Sequence, residues 1–399
     1  MSESKKKQGL GLIIGVLSVF LLGEAQFVMN PALSALASKY PDIPFSSITY
    51  LATIPSLIAV PMGLISGFLI KKGMKYRTQI IAAAAIVVIS GVIPYWITSF
   101  TGWIICRILF GIGFGVCVPM SGTLAQRSFQ GEMAAKVQGW GATAQNLGGV
   151  VLQMLSGIVA ARNVDYVWLV HLILVIPLVL VALTVPEPEQ AAENVSNESE
   201  SRSAERKPLP IKVWIVSIGF GLLFMFMYPF LTSISVILAN EGIGTSTLAG
   251  TINSAYTVGG MIAGVAFIFI YKGLGKWCMP LMYLLMGVDL ICVFLVKSPV
   301  LFIALAVIAG IIVFILWSGH ITEFGATVSP ENMAMASGIF VGLTNLFCFF
   351  SSPLVGVIER TINTNPRTPL MVGGIGCLIL GAIYVISAVT KKSATSTSV

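Results

Sequence analysis

Apolar runs of about 20 residues or more recur along this chain with short polar breaks between them, and that repetition decides what it can fold into. A helix of that length crosses a hydrocarbon core of roughly 30 Å. Twelve such runs are read: 10–36, 47–70, 79–98, 101–124, 136–160, 165–185, 212–239, 246–271, 277–296, 299–322, 333–358 and 368–390. They are continuously apolar rather than alternating, which selects helices over barrel strands, because a lipid-facing backbone must satisfy its own polar groups. Only 10% of the residues are charged, against about 25% in a soluble domain. The expectation is an all-α membrane protein with twelve transmembrane helices.

The sequence also repeats itself at a displacement of roughly two hundred residues. Ile70-Lys71-Lys72-Gly73 is answered by Ile270-Tyr271-Lys272-Gly273. Gly139, Asn146-Leu147 and Gly157 are answered by Gly338, Asn345-Leu346 and Gly356. Two pseudo-symmetric six-helix bundles follow, residues 1–185 and 212–399, joined by a polar stretch, 186–211, whose composition cannot support a packed core and is read as a disordered cytoplasmic linker. A duplicated bundle suits a secondary transporter, in which one half rocks against the other.

The net charge of +7 does not point to nucleic acid, because the cations are sorted by side. Lys5, Lys6, Lys7, Lys71, Lys72, Lys75, Arg77, Arg127, Arg206, Lys207, Lys272, Lys276, Lys391 and Lys392 fall in the tails and in breaks after even-numbered runs. The opposite breaks hold only Lys39, Arg162, Lys297, Arg360 and Arg367. The positive-inside rule then puts both termini in the cytoplasm, and the compact loops fit a bacterial inner membrane. The six cysteines lie within apolar runs without metal-ligand spacing and read as packing residues; no metal or cofactor is expected. There is no Gly-x-Ser-x-Gly or His-Glu-x-x-His, and the short loops leave no room for a soluble catalytic domain, so no enzyme is expected.

Few ionisable groups enter the runs: Glu24, Arg107, Asp289, Glu323, His171 and His320. A charge near the bilayer centre costs on the order of 2.5–3.5 kcal/mol, so each needs a structural partner or a role in transport. Arg107 lies deep in the fourth run, followed by Gly111-Ile112-Gly113-Phe114-Gly115. Arg107-Ile-Leu-Phe-Gly111-Ile-Gly113-Phe-Gly115 resembles the fourth-helix motif of the major facilitator superfamily. That resemblance implies the major facilitator fold, a monomer, and an arginine beside a central cavity that bears on proton coupling. It also places the first and fourth helices together, so Glu24 is expected to pair with Arg107. His320 and Glu323, three apart in the tenth run, share a face with Trp317 and resemble a helix-10 proton site within the same superfamily. Asp289 and His171 are read as structural.

Two motifs depart from the superfamily's pattern. Lys71, Lys72, Gly73, Lys75 and Arg77 keep the basic residues and glycine of the gating loop between helices 2 and 3, but Ile70 stands where an aspartate is usual. In helix 5, Gly148-Gly149 survives without the Gly-Pro that drug antiporters carry before it. The resemblance puts helices 1, 4, 7 and 10 around the cavity with 5, 8 and 11 flanking. Candidate lining residues are then Phe27, Asn30, Phe114, Gln145, Asn146, Phe224, Tyr228, Asn253, Tyr256, Trp317 and Asn345. Such an aromatic surface with a few amides and a carboxylate suits amphipathic molecules and lipophilic cations better than sugars. The leading expectation is a proton-coupled exporter of drug-like or metabolite compounds working by alternating access. The alternatives are a proton-driven uptake symporter for a small organic acid or nutrient, and a non-transporting membrane sensor on the same fold.

Overall fold

The computed structural model describes residues 3–187 and 208–396, and among them there is no strand. The helices are α1 (Gly9–Lys39), α2 (Phe45–Lys71), α3 (Tyr76–Trp96), α4 (Phe100–Ser128), α5 (Gly131–Arg162), α6 (Val164–Thr184), α7 (Ile211–Asn240), α8 (Ser246–Leu274), α9 (Cys278–Leu295), α10 (Pro299–Thr327), α11 (Pro330–Thr361) and α12 (Thr368–Ser396). By length and hydropathy alone there are eleven membrane-crossing stretches among the described residues, because α8 and α9 run on as one 50-residue segment, Ser246–Leu295. Gly275, at φ +51°, breaks that segment in a conformation that glycine adopts without steric cost, and a single 3-10 turn, Gly275–Trp277, carries the chain from one helix to the next. The twelve expected helices are thereby reconciled with eleven continuous stretches.

Local chemistry sets several helix ends. The Ser99 hydroxyl accepts from the Gly102 N–H at the start of α4, and the Asn163 side chain accepts from the Asp165 N–H at the start of α6 (3.0 Å). Pro299 and Pro330 open α10 and α11, where a missing N–H costs nothing. Inside α1, Leu22–Ala32 winds as a 3-10 helix that includes Pro31.

The chain packs as two compact units. The first comprises Met1–Met29 and Tyr50–Pro208, the second Asn30–Thr49 and Leu209–Val399. Sequence reading assigns residues 30–49 to the first bundle; the structure packs them in the second. There the Ser34 N–H donates to the Ser235 hydroxyl of α7 (3.2 Å), and Thr49 Oγ1 donates to the Ser352 hydroxyl of α11 (2.8 Å).

Small residues build the seams of both units. In the first, Gly111 and Gly115 lie against Pro55 and Ala59 of α2, while Gly113, between them in sequence, lies against the Val87 backbone of α3. In the second, Gly259 meets the backbone of Ile311 in α10, and Gly287 of α9 meets Gly374 of α12. Most of the polar stretch read as a disordered linker, 188–207, lies outside the described residues. Its first residues are ordered: Glu187 takes the backbone N–H groups of Tyr76 (2.7 Å) and Arg77 (2.9 Å) at the start of α3.

Candidate functional site

In the first unit the site centres on Glu24, half-buried in the 3-10 stretch of α1. Its Oε1 accepts from Gln145 Nε2 of α5 at 2.9 Å. The carboxylate can sit this close to α5 because Gly149 has no side chain: a Cβ there would lie 2.8 Å from Glu24 Oε2. The Gly148-Gly149 pair divides the work, Gly148 facing Leu21 and Gly149 facing Glu24. Two residues beyond Glu24, Gln26 Oε1 accepts from the Ser56 hydroxyl of α2 (3.0 Å).

Arg107, expected to hold Glu24, is placed elsewhere. Its side chain is fully buried; Nε donates to the Leu51 carbonyl of α2 (2.6 Å), and the guanidinium lies 4.2 Å from the Phe110 ring centroid. Glu24 makes no salt bridge among the described residues. Arg107 is engaged by a carbonyl of α2 and an aromatic face of its own helix, whereas Gln145 reaches the carboxylate across the Gly149 gap. His171 of α6 packs edge-on to Phe110 (5.5 Å) with its Nδ1 3.1 Å from the Trp168 carbonyl. Phe114 is buried and stacks on Phe110 (6.3 Å).

In the second unit His320 and Glu323, three apart on α10, meet different partners. His320 Nε2 is 3.1 Å from the Tyr283 hydroxyl of α9, and Tyr283 donates in turn to the Tyr384 hydroxyl of α12 (3.5 Å). The two tyrosine rings stack at 4.3 Å. Glu323 turns instead to Lys212 of α7 (3.4 Å), both side chains partly exposed. Trp317 meets Phe340 (5.0 Å) and Phe220 (5.8 Å), and Phe220, Phe224 and Tyr228 follow one another along α7 at 6.1 and 5.9 Å. Of this wall, Trp317 and Phe224 remain half-exposed.

The amides divide. Asn146 and Asn345, equivalent in the repeat, each donate their Nδ2 to the carbonyl four residues back, Ala142 and Val341, both at 3.0 Å. Asn253 of α8 donates to the Leu231 carbonyl (3.3 Å), and Tyr256 packs against Phe314 (6.3 Å). Asn30 falls in the second unit, fully buried, with neither amide atom hydrogen-bonded among the described residues. Phe27 is half-buried in the 3-10 stretch. Asp289, read as structural, is 4% exposed and its two carboxylate oxygens have no hydrogen-bond partner among the described residues.

In the loop between α2 and α3, Gly73 adopts φ +91° and Lys71, Lys72 and Lys75 are exposed, Lys72 lying over the Phe68 ring (4.7 Å). Arg77 donates to the Ala182 carbonyl near the end of α6 (2.5 Å). The carboxylate at the start of α3 comes from Glu187. Sequence reading missed Glu187, Gly149's role, Tyr283, Tyr384 and the Arg367 cluster. In that cluster Arg367 forms a salt bridge with Glu241 and donates to the carbonyls of Val293, Phe294 and Val296 at the end of α9.

Two helical units with glycine seams and eleven apolar stretches long enough to cross a membrane among the described residues are those of a multi-pass membrane protein. Residues 15–352 match the Major Facilitator Superfamily, and the chain belongs to that family of secondary transporters rather than to the enzymes. Solved structures similar to it include a D-xylose–proton symporter (TM-score 0.74, 15% identity, 94% of this chain and 96% of that one). A bacterial homologue of the human lysosomal transporter Spinster follows (0.73, 15%, 98% of each), and then a nucleoside transporter (0.73, 14%, 94% and 99%). These likenesses concern the fold. No curated protein matches the chain.

Proposed function

We propose that the chain is a proton-coupled transporter that exports amphipathic organic molecules by antiport, with Glu24 as its proton carrier. The observation that carries this reading is Glu24 itself: a half-buried carboxylate in an irregular stretch of α1, with a neutral amide as its hydrogen-bond partner rather than a cation. A carboxylate so placed can lose and regain a proton without breaking a salt bridge. Gln145 and Gly149 position it. Arg107 fixes the α2–α4 contact and holds a positive charge in the same unit. Phe224 and Trp317 offer aromatic faces for an amphipathic cation. We place both termini in the cytoplasm on the distribution of the lysines and arginines, and take a monomer from the family resemblance and a bacterial inner membrane from the compact loops.

One charge crossing about 150 mV releases roughly 3.4 kcal/mol, enough for a gradient of a few hundredfold. The test is proton movement in energised inside-out vesicles, followed with a pH-sensitive dye as lipophilic cations, organic acids and sugars are added in turn. Proton release by a lipophilic cation, lost in Glu24→Gln, is the expected result. Normal uphill transport by Glu24→Gln would remove the proton assignment. Silence to every lipophilic cation would turn the reading to uptake, tested next with organic acids in right-side-out vesicles.

A further inference from the structure

Asp289 lies inside α9 and has no place in the proton role given to Glu24. It is 4% exposed, and among the described residues its carboxylate has neither a hydrogen bond nor a salt bridge. The charged groups and the histidine on the helices packed against α9 are engaged elsewhere. Glu323 of α10 pairs with Lys212 of α7, while His320 of α10 and Tyr384 of α12 meet at the Tyr283 hydroxyl. Lys272 and Lys276, just ahead of α9, and Lys297, just past it, are exposed. Arg367 reaches the Val293 carbonyl (3.0 Å), one turn past Asp289, but gives its N–H groups to that carbonyl, to those of Phe294 and Val296, and to Glu241. A buried carboxylate with neither a cation nor a donor is an uncompensated charge, and taking up a proton removes it.

We infer that Asp289 is carried as a neutral carboxylic acid, a second proton site in this chain, and that Arg367 guards its proton by clamping the end of α9. Nothing in this rests on Glu24 or on export. The helix lies close against α12, where a Cβ on Gly287 would stand 2.8 Å from the Gly374 carbonyl, and three of its last carbonyls are held by one guanidinium. A proton so enclosed exchanges only when the helix opens locally. The step is a plain exchange: the Asp289 O–H proton passes to a water that reaches it, and a proton from solvent replaces it. Arg367 makes no bond to the carboxyl and acts as a positioning residue.

The chain holds three aspartates, Asp42, Asp165 and Asp289, so 13C at the aspartate side-chain carboxyl separates this group from every glutamate. The full-length protein, labelled in this way by cell-free synthesis and held in lipid nanodiscs, is read by infrared spectroscopy at about pH 7, well above the ordinary carboxylate range. The expected spectrum contains the 13C-shifted C=O stretch of a protonated acid, present in wild type and in Glu24→Gln and missing in Asp289→Asn. Ionised carboxylate bands alone overturn the neutral acid, and so does a protonated band that survives Asp289→Asn.

Transfer to D2O then shifts the band as the proton exchanges. Exchange in wild type should be slow enough to follow by hand mixing, and Arg367→Gln should speed it by about tenfold or more. Glu241→Gln leaves the arginine its carbonyls and removes its counter-charge; it should give a smaller change in the same direction, and it carries the test if Arg367→Gln does not fold. Glu187→Gln, which loosens the first unit instead, should leave the rate as it was. Exchange complete on mixing overturns the enclosure, and a band that never shifts overturns the local opening. An unchanged rate in the Arg367 and Glu241 variants, or an equal rise in Glu187→Gln, overturns the clamp.

Discussion

At the scale of single residues, Glu24 depends on an absence, the missing side chain of Gly149. In Gly149→Val the Cβ would stand 2.8 Å from Oε2 and 3.1 Å from Cγ of Glu24. Either α5 or the Glu24 side chain must shift. We expect a loss of about 1–3 kcal/mol in stability, the usual cost of overpacking, and at least an order-of-magnitude fall in proton-coupled transport, read in the vesicle assay beside a thermal melt. Gly148→Ala meets only the flexible end of Leu21 and should melt close to wild type. Glu24 was legible in the sequence as a carboxylate that a membrane helix would not carry idly. Its partner was not. Helical spacing says which residues share a face of one helix, but the vertical register between α1 and α5 brings Gln145 rather than Arg107 to it. The same limit hid Tyr283 and Tyr384. Neither has any spacing relation to His320, and both lie in helices that reading by resemblance treats as peripheral.

At the scale of elements, the start of α3 is held by a residue from beyond the end of α6. Glu187 accepts two N–H groups that would otherwise be unsatisfied, and its charge opposes the positive end of the helix dipole. Glu187→Gln keeps the shape and removes the charge; a loss of about 1 kcal/mol is expected, seen as a fall of roughly 2–4 °C in Tm that shrinks as salt is added. The helices themselves were legible, since a continuous apolar run of this length has few other fates. Glu187 was hidden because it opens a polar stretch whose composition reads as linker. Composition averages over many residues and cannot show that one of them is captured by a helix end.

At the scale of the whole molecule, the second unit is tied at one end by Arg367, only 6% exposed, which binds Glu241 and three carbonyls at the end of α9 and lies 5.6 Å from the Phe302 ring. Sequence reading saw this arginine only as an exception to the inside-positive pattern. The hydrogen bond from Arg367, with its charge and that of Lys297, holds the Glu241 carboxyl below its ordinary range against the opposing effect of burial. A lowered folded-state value means that the contribution is complete above the ordinary carboxylate range and is lost as pH falls through the lowered value. Acid melts should therefore separate wild type from Glu241→Gln at neutral pH and bring them together at low pH. Arg367→Gln should raise hydrogen exchange at the end of α9, where three carbonyls lose their donor. The hand-over of residues 30–49 to the second unit has a consequence for biosynthesis. Ser34 leaves the ribosome 201 residues ahead of Ser235, the α7 residue whose hydroxyl it will bind. At about 5–20 residues per second that is a wait of roughly 10–40 s. Through that interval the newborn first helix has one part with its neighbours at hand and another with none, so a ribosome stalled in the linker would hold a first unit whose own leading helix is still waiting for the rest of the chain.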